Sequence, residues 1–312
     1  MTSDEKHMMR AIGLAKLGEG LTRPNPPVGA VLVLEDHVVA EGWHRKAGED
    51  HAERDCLKKL PPMPVHLGSS TLYVTLEPCS SHGRTPPCTD LILEKGIGRV
   101  VVSVKDLNPK HAGQGLGILR EAGVEVVFGV CENEGRELIA PFEKFITTGM
   151  PFVTLKLAST LDGRIADSEG SSKWITGSDA RERVQEMRRR ADAIMVGAGT
   201  VRADDPSLLP RPSKGRKPWR VVIGGNIPAD SKVLTDEAAE RTLVLIVEGH
   251  RPRCPRPTGW TTRTSALQVE SLSAGLKILA ERYDVMHVLC EGGGRLAAGL
   301  VEEGLVDEFA FF

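Results

Sequence analysis

Four residues in the first half of the chain have the types and spacing of a catalytic metal site. His51 and Glu53 are two positions apart at the start of a helical pattern, and Cys79 and Cys88 follow the short strand pattern LYVTLEP. A catalytic zinc ion takes three protein ligands and leaves one position for water. His51, Cys79 and Cys88 supply those ligands. Glu53 is then placed to move protons to and from the reacting group.

The order of these residues narrows the chemistry to hydrolytic deamination. Both thiols lie near predicted helix N-termini, where the helix dipole and a metal favour thiolate. Nucleobase deaminases carry an H-x-E motif followed by P-C-x-x-C. Here the eight residues SSHGRTPP, instead of two, separate the cysteines. The tripeptide HAE alone is weak evidence, but its order with PC and a second Cys favours a zinc deaminase. A purely structural zinc would need a fourth ligand, and no further Cys or His has motif spacing.

The bulk properties describe an ordinary globular chain. Its 312 residues favour two domains, and its formal net charge of -2 argues against a nucleic-acid-binding surface. Six cysteines are too sparse for a disulfide scaffold. No apolar run reaches the length of a bilayer span, and the first residues lack a signal peptide pattern. We therefore expect a cytoplasmic protein with no membrane partner.

Strand and helix patterns alternate through both halves, which predicts an α/β fold with sheets covered on both faces. The first residues predict a capped helix with Met8, Met9, Ile12 and Ala15 on one side. The Gly and Pro residues in the segment TTGMP indicate a domain boundary at this segment, which gives domains 1–147 and 148–312. The chain stops on VDEFAFF, which has the pattern of a buried strand, so the second domain is a candidate for truncation at its C-terminus.

The second half has weaker chemical signals. MHVLCEGGGRLAAGL predicts a strand, a Gly-rich turn and a helix, an arrangement that holds phosphate or simply allows close packing. Asp204 and Asp205 fit either paired carboxylates or a helix cap. The arginines between 181 and 190 fit either a solvated helix face or a phosphate anchor.

Longer motifs carry a family resemblance. PNPPVGA, GWH, HAE, TLEPCSSHGRTPPC and DLNP resemble the deaminase half of the bifunctional riboflavin-biosynthesis deaminase/reductases. LKLASTLDGRIA, SKWITG, GAGTVRADDPSLLPR and CEGGGRLAAGLVEEGLVDEF are similar, in order, to the reductase half. The resemblance implies an N-terminal three-layer cytidine-deaminase-like domain and a C-terminal dihydrofolate-reductase-like domain.

The resemblance also implies two consecutive reactions. Zinc-dependent hydrolysis would remove the 2-amino group of 2,5-diamino-6-(5-phosphoribosylamino)pyrimidin-4-one, and NADPH would then reduce the ribosyl group to a ribityl chain. The cofactors would be Zn2+ and NADPH. The partner would be a small phosphorylated pyrimidine and not a nucleic acid, and a homo-oligomer is a possible assembly.

Site residues follow from the matched motifs. The deaminase substrate would contact Asn25, His44, Arg84 and Asn108. NADPH would contact Ala158, Trp174, Thr200, Asp204, Glu291, Gly293 and Gly294. The reductase substrate would contact Ser172, Arg188, Leu208 and Arg211. Asn25, His44, Asn108 and Trp174 also have plain structural interpretations, as turn formers, a surface histidine and a core aromatic. The sequence departs from the family at Ala30, where a cysteine is common, and at Ser81, where a histidine is common.

Two alternatives keep the deaminase and change the second half. In one, residues 148–312 form a non-catalytic dimerisation or interaction module. In the other, the enzyme acts on free cytidine or an RNA base, and the second half binds nucleic acid. The near-neutral charge and the absence of interleaved aromatic and basic residues count against RNA. An arginine suited to phosphate inside the inter-cysteine insertion counts against a free nucleoside.

Overall fold

The protein consists of two compact units, Met1–Thr148 and Gly149–Phe312. The computed structural model describes residues 1–60, 67–82, 86–108, 112–167, 175–212, 216–248 and 265–312. Both units are α/β, each with one sheet covered by helices. The predicted fold class is therefore confirmed.

The first unit has a five-stranded sheet in the order β2-β1-β3-β4-β5. Its strands are β1 (Gly29–Leu34), β2 (His37–Trp43), β3 (Thr71–Leu76), β4 (Arg99–Val104) and β5 (Glu125–Phe128). Its helices are α1 (Ser3–Ala15), α2 (Ala52–Leu57), α3 (Cys88–Glu94), α4 (Gln114–Glu121) and α5 (Glu132–Thr148). β1 is antiparallel to β2 and β3, whereas β3, β4 and β5 are parallel. Consequently the carboxyl ends of β3 and β4 meet at one edge.

Side-chain alternation along the strands builds a core on each face of this sheet. Leu72 and Val74 of β3 pack in the cluster shared with α2, α3 and α4. Tyr73 points to the opposite face, into the cluster formed with α1. At the carboxyl ends of β3 and β4, Leu76 and Val104 pack with α5. The three-layer arrangement predicted for this domain is thus present.

The N-terminal helix forms as predicted, with one correction. Thr2 accepts a hydrogen bond from the Glu5 backbone, and the Glu5 side chain accepts one from the Thr2 backbone, forming a capping box. Met8, Ile12 and Ala15 are buried against the sheet, but Met9 is 39% exposed. The prediction for Met9 was wrong because position 9 lies about 100° around the helix from position 8, outside the stripe that faces the sheet.

The hairpin of β1 and β2 also follows the predicted pattern. Glu35 and Asp36 form its two-residue turn and both have positive φ, 48° and 62°. Such turns match the right-handed twist of the strands that they join. This hairpin brings β2 alongside α2.

The second unit has a seven-stranded sheet in the order β10-β9-β8-β7-β11-β6-β12, with every neighbouring pair parallel. Its strands are β6 (Phe152–Leu157), β7 (Ala193–Gly197), β8 (Trp219–Ile223), β9 (Thr242–Val247), β10 (Ser265–Val269), β11 (His287–Gly292) and β12 (Glu308–Phe311). Its helices are α6 (Ser178–Arg190), α7 (Ala198–Asp204), α8 (Lys232–Thr235), α9 (Leu272–Tyr283) and α10 (Gly294–Glu302). Apolar clusters cover both faces of the sheet.

The segment VDEFAFF forms β12, which pairs with β6 at the edge of the sheet. Its side chains are less buried than the pattern predicts, since Phe309 and Phe311 are 49% and 67% exposed. Among the described residues, no helix has both the length and the apolar character needed to cross a membrane.

Candidate active sites

The first unit places His51 and Glu53 through a close helix-strand contact. His51 is the N-cap of α2, and Glu53 lies in its first turn. On β2, Gly42 faces this helix, and a Cβ on it would lie 2.2 Å from the backbone nitrogen of Cys56. Only glycine allows the two backbones to approach this closely. Gly42 belongs to the GWH motif, so that motif contributes packing as well as a histidine.

The three predicted zinc ligands converge. One ligand atom from each of His51, Cys79 and Cys88 lies within 4.8 Å of the other two. The His51 Nδ1 atom is 3.5 Å from the Cys79 sulfur and 3.4 Å from the Cys88 sulfur. A tetrahedral zinc with ordinary bond lengths separates a nitrogen and a sulfur ligand by about 3.6 Å. The three side chains therefore fit zinc.

Burial and hydrogen bonding shift the pKa values of Cys79 and Glu53. The pKa of Cys79 is lowered to about 4, because the Cys88 thiol, the His51 ring and the Cys88 backbone N–H all stabilise its thiolate. Glu53 is buried, which together with the Cys79 charge raises its carboxyl pKa to about 7. A carboxyl group with a pKa near neutrality can both take up and release a proton.

A cavity of about 170 Å³ opens beside these residues. It is lined by Asn25, Pro26, Val28, His44, His51, Glu53, Leu76, Glu77, Cys79, Asp106, Asn108 and Phe142. Three of the four predicted deaminase substrate contacts therefore share one cavity with Glu53 and two of the predicted zinc ligands, His51 and Cys79. The fourth, Arg84, lies outside the described residues.

His44 is held as a neutral ring. Its Nδ1 donates to the Asp50 carbonyl at 2.9 Å, and its Nε2 accepts from the Asn25 side-chain amide at 3.1 Å. Burial lowers the pKa of His44 and so favours this neutral form. The Asn25 amide is thereby oriented at the cavity wall, with its oxygen available to another partner.

Sequence reasoning missed Glu77, whose buried carboxylate accepts four backbone hydrogen bonds. The available signal was its position immediately before Pro78 and Cys79, where a charged residue directly follows the buried strand β3. A buried carboxylate requires partners, and these partners come from a segment remote in the sequence.

In the second unit, several predicted residues follow the carboxyl ends of adjacent strands. Ala158 follows β6, Thr200 follows β7, and Glu291 lies near the end of β11. Since β7, β11 and β6 are neighbours in a parallel sheet, these positions share one edge. Ligands of open α/β sheets bind at such an edge.

The predicted Gly-rich turn has a geometry suited to a phosphate. Gly293 has φ of 83° and precedes the nine-residue helix α10, which Gly294 begins. Both glycines are exposed. A Cβ on Gly292 or Gly293 would lie 3.1 or 3.3 Å from the Thr200 hydroxyl, so Thr200 lies against this turn. Exposed backbone N–H groups at a helix N-terminus bind anions, and the turn therefore fits a dinucleotide phosphate.

Arg188 and Glu291, predicted to contact the substrate and the cofactor respectively, form an ion pair. The Arg188 Nε and Nη2 atoms lie 2.5 and 2.8 Å from the two Glu291 oxygens, and Nη1 donates to the Leu209 carbonyl at 3.2 Å. Their side chains are 14% and 8% exposed. The structure therefore puts the two predicted roles at a single place.

The remaining predicted reductase residues differ in their burial. Leu208 is buried with a positive φ of 60°. Asp204 and Arg211 are exposed, and the Arg211 backbone N–H donates to the Gln185 side chain at 2.8 Å. Ser172 and Trp174 lie outside the described residues.

Two family models match the chain. Residues 1–104 match the cytidine and deoxycytidylate deaminase zinc-binding region. Residues 151–312 match the RibD C-terminal domain. The first match lies within the first structural unit, and the second spans nearly all of the second unit.

Curated relatives match along nearly the whole chain. The riboflavin biosynthesis protein RibD of Aquifex aeolicus is 42% identical over 313 residues, covering 99% of this chain and 86% of that protein. The corresponding protein of Escherichia coli is 37% identical, covering 99% of this chain and 87% of that protein.

Solved structures give the same result. RibD of Acinetobacter baumannii superposes with a TM-score of 0.84 at 39% identity, covering 98% of this chain and 85% of that chain. A diaminohydroxyphosphoribosylaminopyrimidine deaminase/5-amino-6-(5-phosphoribosylamino)uracil reductase of Thermotoga maritima has a TM-score of 0.84 at 41% identity, covering 96% and 84%.

Proposed function

Because this chain belongs to the RibD family of bifunctional riboflavin-biosynthesis enzymes, we propose that the two groups of residues described above carry its two reactions. The protein is a deaminase and a reductase, with zinc and NADPH as cofactors. The deaminase removes an amino group from 2,5-diamino-6-(5-phosphoribosylamino)pyrimidin-4-one, and the reductase converts the ribosyl group of the product to a ribityl chain. The assignment of individual residues is our proposal.

In the deaminase, His51, Cys79 and Cys88 hold the zinc, which supplies an activated water when bound. Glu53 accepts a proton from the attacking group and delivers it to the leaving amine. Its burial and its pKa of about 7 suit both directions of transfer. The amine leaves as ammonia, and the ring carbon retains an oxygen in its place.

Asn25, His44 and Asn108 orient the pyrimidine in the cavity. The His44 ring fixes the Asn25 amide, so that its oxygen can accept a hydrogen bond from the substrate. Asn108 reaches the cavity from the segment that follows β4. Arg84 binds the 5′-phosphate, for which a planar, charged, bidentate donor is suited.

In the reductase, Ala158, Trp174, Thr200, Asp204, Glu291, Gly293 and Gly294 contact NADPH. Ser172, Arg188, Leu208 and Arg211 contact the ribose phosphate. NADPH supplies the hydride for the ribose C1′, and the protein's task is to place the two molecules against each other. The Arg188–Glu291 ion pair supports this assignment because one of its members is a proposed substrate contact and the other a proposed cofactor contact.

The observation that carries the deaminase assignment is the convergence of His51, Cys79 and Cys88 beside a buried Glu53. The test is mass spectrometry of the product after the purified, zinc-loaded chain meets the diamino-pyrimidinone phosphate, with and without NADPH. We expect oxygen to replace the amine in both samples and two hydrogens to be added only with NADPH. Deamination without reduction would favour the alternative of a non-catalytic second unit, whereas an unchanged substrate would contradict the proposal.

Several expectations from the sequence stay predictions. We propose a phosphorylated pyrimidine as the partner because of the family to which the chain belongs, and the near-neutral net charge favours it over nucleic acid. The expectation of no membrane partner stays a prediction. The cytoplasmic location, the homo-oligomer and the domain limits 1–147 and 148–312 also stay predictions. Sedimentation of the purified chain would test the homo-oligomer.

A further inference from the structure

Glu77 connects two segments: the start of the loop that carries Cys79, here called the ligand loop, and the segment that follows β4. It lies two residues before Cys79, and its side chain is buried. Its Oε2 atom accepts hydrogen bonds from the backbone N–H groups of Asp106 at 3.2 Å and Gly113 at 3.0 Å. One oxygen atom therefore joins two points of the chain that flank Asn108.

The second oxygen of Glu77 binds the start of α4. Its Oε1 atom accepts from the backbone N–H groups of Gly115 at 3.0 Å and Leu116 at 3.3 Å. These N–H groups have no partner within the helix, and a carboxylate at a helix N-terminus is electrostatically favourable. All four donors are backbone N–H groups, and a carboxylate is a stronger acceptor for such groups than a neutral oxygen.

A close backbone contact reinforces this connection independently of the carboxylate. A Cβ on Gly115 would lie 2.2 Å from the carbonyl oxygen of Pro78, the residue between Glu77 and Cys79. The first turn of α4 therefore lies directly on the ligand loop. Two residues later, a Cβ on Gly117 would meet nothing within 4 Å.

The hydrogen bonds continue from Glu77 to Asn108. The Asp106 backbone is held by Glu77, and the Asp106 side chain accepts from the Asn108 backbone N–H at 2.8 Å. The Asn108 carbonyl accepts from the Ala112 N–H at 2.9 Å, next to Gly113, which Glu77 also holds. Asn108 is thus fixed from both sides at the cavity wall.

We propose that Glu77 is a positioning residue for deamination. Its carboxylate sets the distance between the ligand loop and Asn108, and so the placement of the pyrimidine relative to the zinc. This inference rests on the proposed role of Asn108 at the deaminase site. Glu77 acts through backbone groups, and it transfers no proton.

Glu77→Gln tests the proposal with little change of volume. A carboxylate offers two acceptor oxygens, whereas glutamine offers one, so its NH2 group would face two N–H donors. We expect the KM of deamination to rise on the order of tenfold. The bound zinc should stay at the parent stoichiometry, because the three ligands are unchanged.

Gly115→Ala and Gly117→Ala form a matched pair that does not depend on Glu77 tolerating substitution. Gly115→Ala forces α4 away from the ligand loop and should raise KM in the same way. Gly117→Ala adds the same methyl group on the same helix and should leave KM at the parent value. Since both changes replace a helical glycine by alanine, a general effect on the helix would appear in both variants.

The double variant Glu77→Gln/Asn108→Ala measures whether the two residues act together. We expect Asn108→Ala alone to raise KM, and the double variant to raise it no further. Additive effects, or a parent KM in Glu77→Gln and Gly115→Ala, would overturn the proposal. If Asn108→Ala has the same KM as the parent, Asn108 does not contact the substrate and the proposal is overturned. If the parent chain itself fails to deaminate, the proposed function is refuted instead.

Discussion

The two units differ in how closely their chemistry-bearing residues are grouped. In the first unit, five of the predicted ligand and substrate residues line one cavity together with Glu53, namely Asn25, His44, His51, Cys79 and Asn108. Cys88 lies within 4.8 Å of the His51 and Cys79 ligand atoms, and Asn25 hydrogen-bonds to His44. In the second unit, Arg188 and Glu291 pair, Thr200 lies against the Gly-rich turn, and Asp204 and Arg211 are exposed. The first site is compact, and the second extends along the edge of a sheet.

The difference reflects the size of what each site holds. A zinc ion requires a few specific atoms within bonding distance, so its site is dense in reactive side chains. A dinucleotide is long and is held largely by backbone groups, glycines and shape. Side chains therefore reveal the first site in the sequence, whereas the second is visible mainly through a resemblance.

Loss of a zinc ligand should give the largest effect and should be confined to the first unit. Cys88→Ser replaces a thiolate by a hydroxyl, so bound zinc and deamination should both fall to background. Reduction of separately supplied deaminated substrate should continue at the parent rate. Metal analysis beside the two assays measures this, and full zinc occupancy in the variant would remove Cys88 from the ligand set.

Glu53→Gln should have the second-largest effect, because it keeps the metal and removes the proposed proton carrier. We expect the kcat of deamination to fall by about 10²–10⁴, the usual contribution of a general acid-base group. Zinc content and NADPH-dependent reduction should equal those of the parent. Activity close to the parent level would exclude Glu53 as the carrier of protons.

Breaking the Arg188–Glu291 pair should affect only the second unit, whereas the two changes above should affect only the first. Arg188→Met leaves the Glu291 carboxylate buried without its cation, which should destabilise the unit by about 3 kcal/mol and abolish tight binding of the reductase substrate. Denaturant unfolding and both assays measure the change. Arg183→Met, which removes an exposed ion pair with Glu186, is the control and should change neither quantity appreciably. A loss of deamination in Arg188→Met would show that the two sites are not independent.

The smallest effect should come from a charge network remote from both sites. The pKa of Asp4 is lowered mainly by its hydrogen bonds with Arg99, and so this carboxylate stabilises the first unit above its unfolded pKa of about 3.9. That stabilisation is lost as the pH falls through the lowered, folded-state pKa.

Asp4→Asn should therefore cost about 1 kcal/mol or less near pH 7, and the difference from the parent should vanish at low pH. Unfolding of zinc-free protein measures this without a contribution from loss of metal at low pH. Asp4 accepts a hydrogen bond from Arg99, the first residue of β4, whereas the Glu77 backbone N–H donates to Val104, the last residue of that strand. The KM of deamination should therefore not change. A changed KM would mean that the deaminase cavity responds to the whole sheet.

Local patterns predicted much of the fold. The β1–β2 hairpin, the capped first helix and the strand-turn-helix ending in α10 all form where the sequence places them. The prediction failed for Met9, which is exposed, and in part for β12, whose Phe side chains are partly exposed at a sheet edge. The Met9 error follows from the angular step along the helix, which puts position 9 outside the stripe of Met8, Ile12 and Ala15. The exposure of the β12 side chains depends on which neighbours cover an edge strand, and hydrophobic pattern alone does not encode that.

The sequence by itself determined the α/β class and the three side chains that converge as a metal-binding group, and it predicted Glu53 as the proton carrier. It could do so because His51 and Glu53 lie two positions apart at the start of one helix, and because each cysteine follows or begins a recognisable element. Only the tertiary structure decided that Arg188 pairs with Glu291 and that Glu77 holds the backbone on both sides of Asn108. These contacts join residues 29 to 103 positions apart. Partners so distant in the chain are chosen by sheet order and helix packing, which become defined only once the chain has folded.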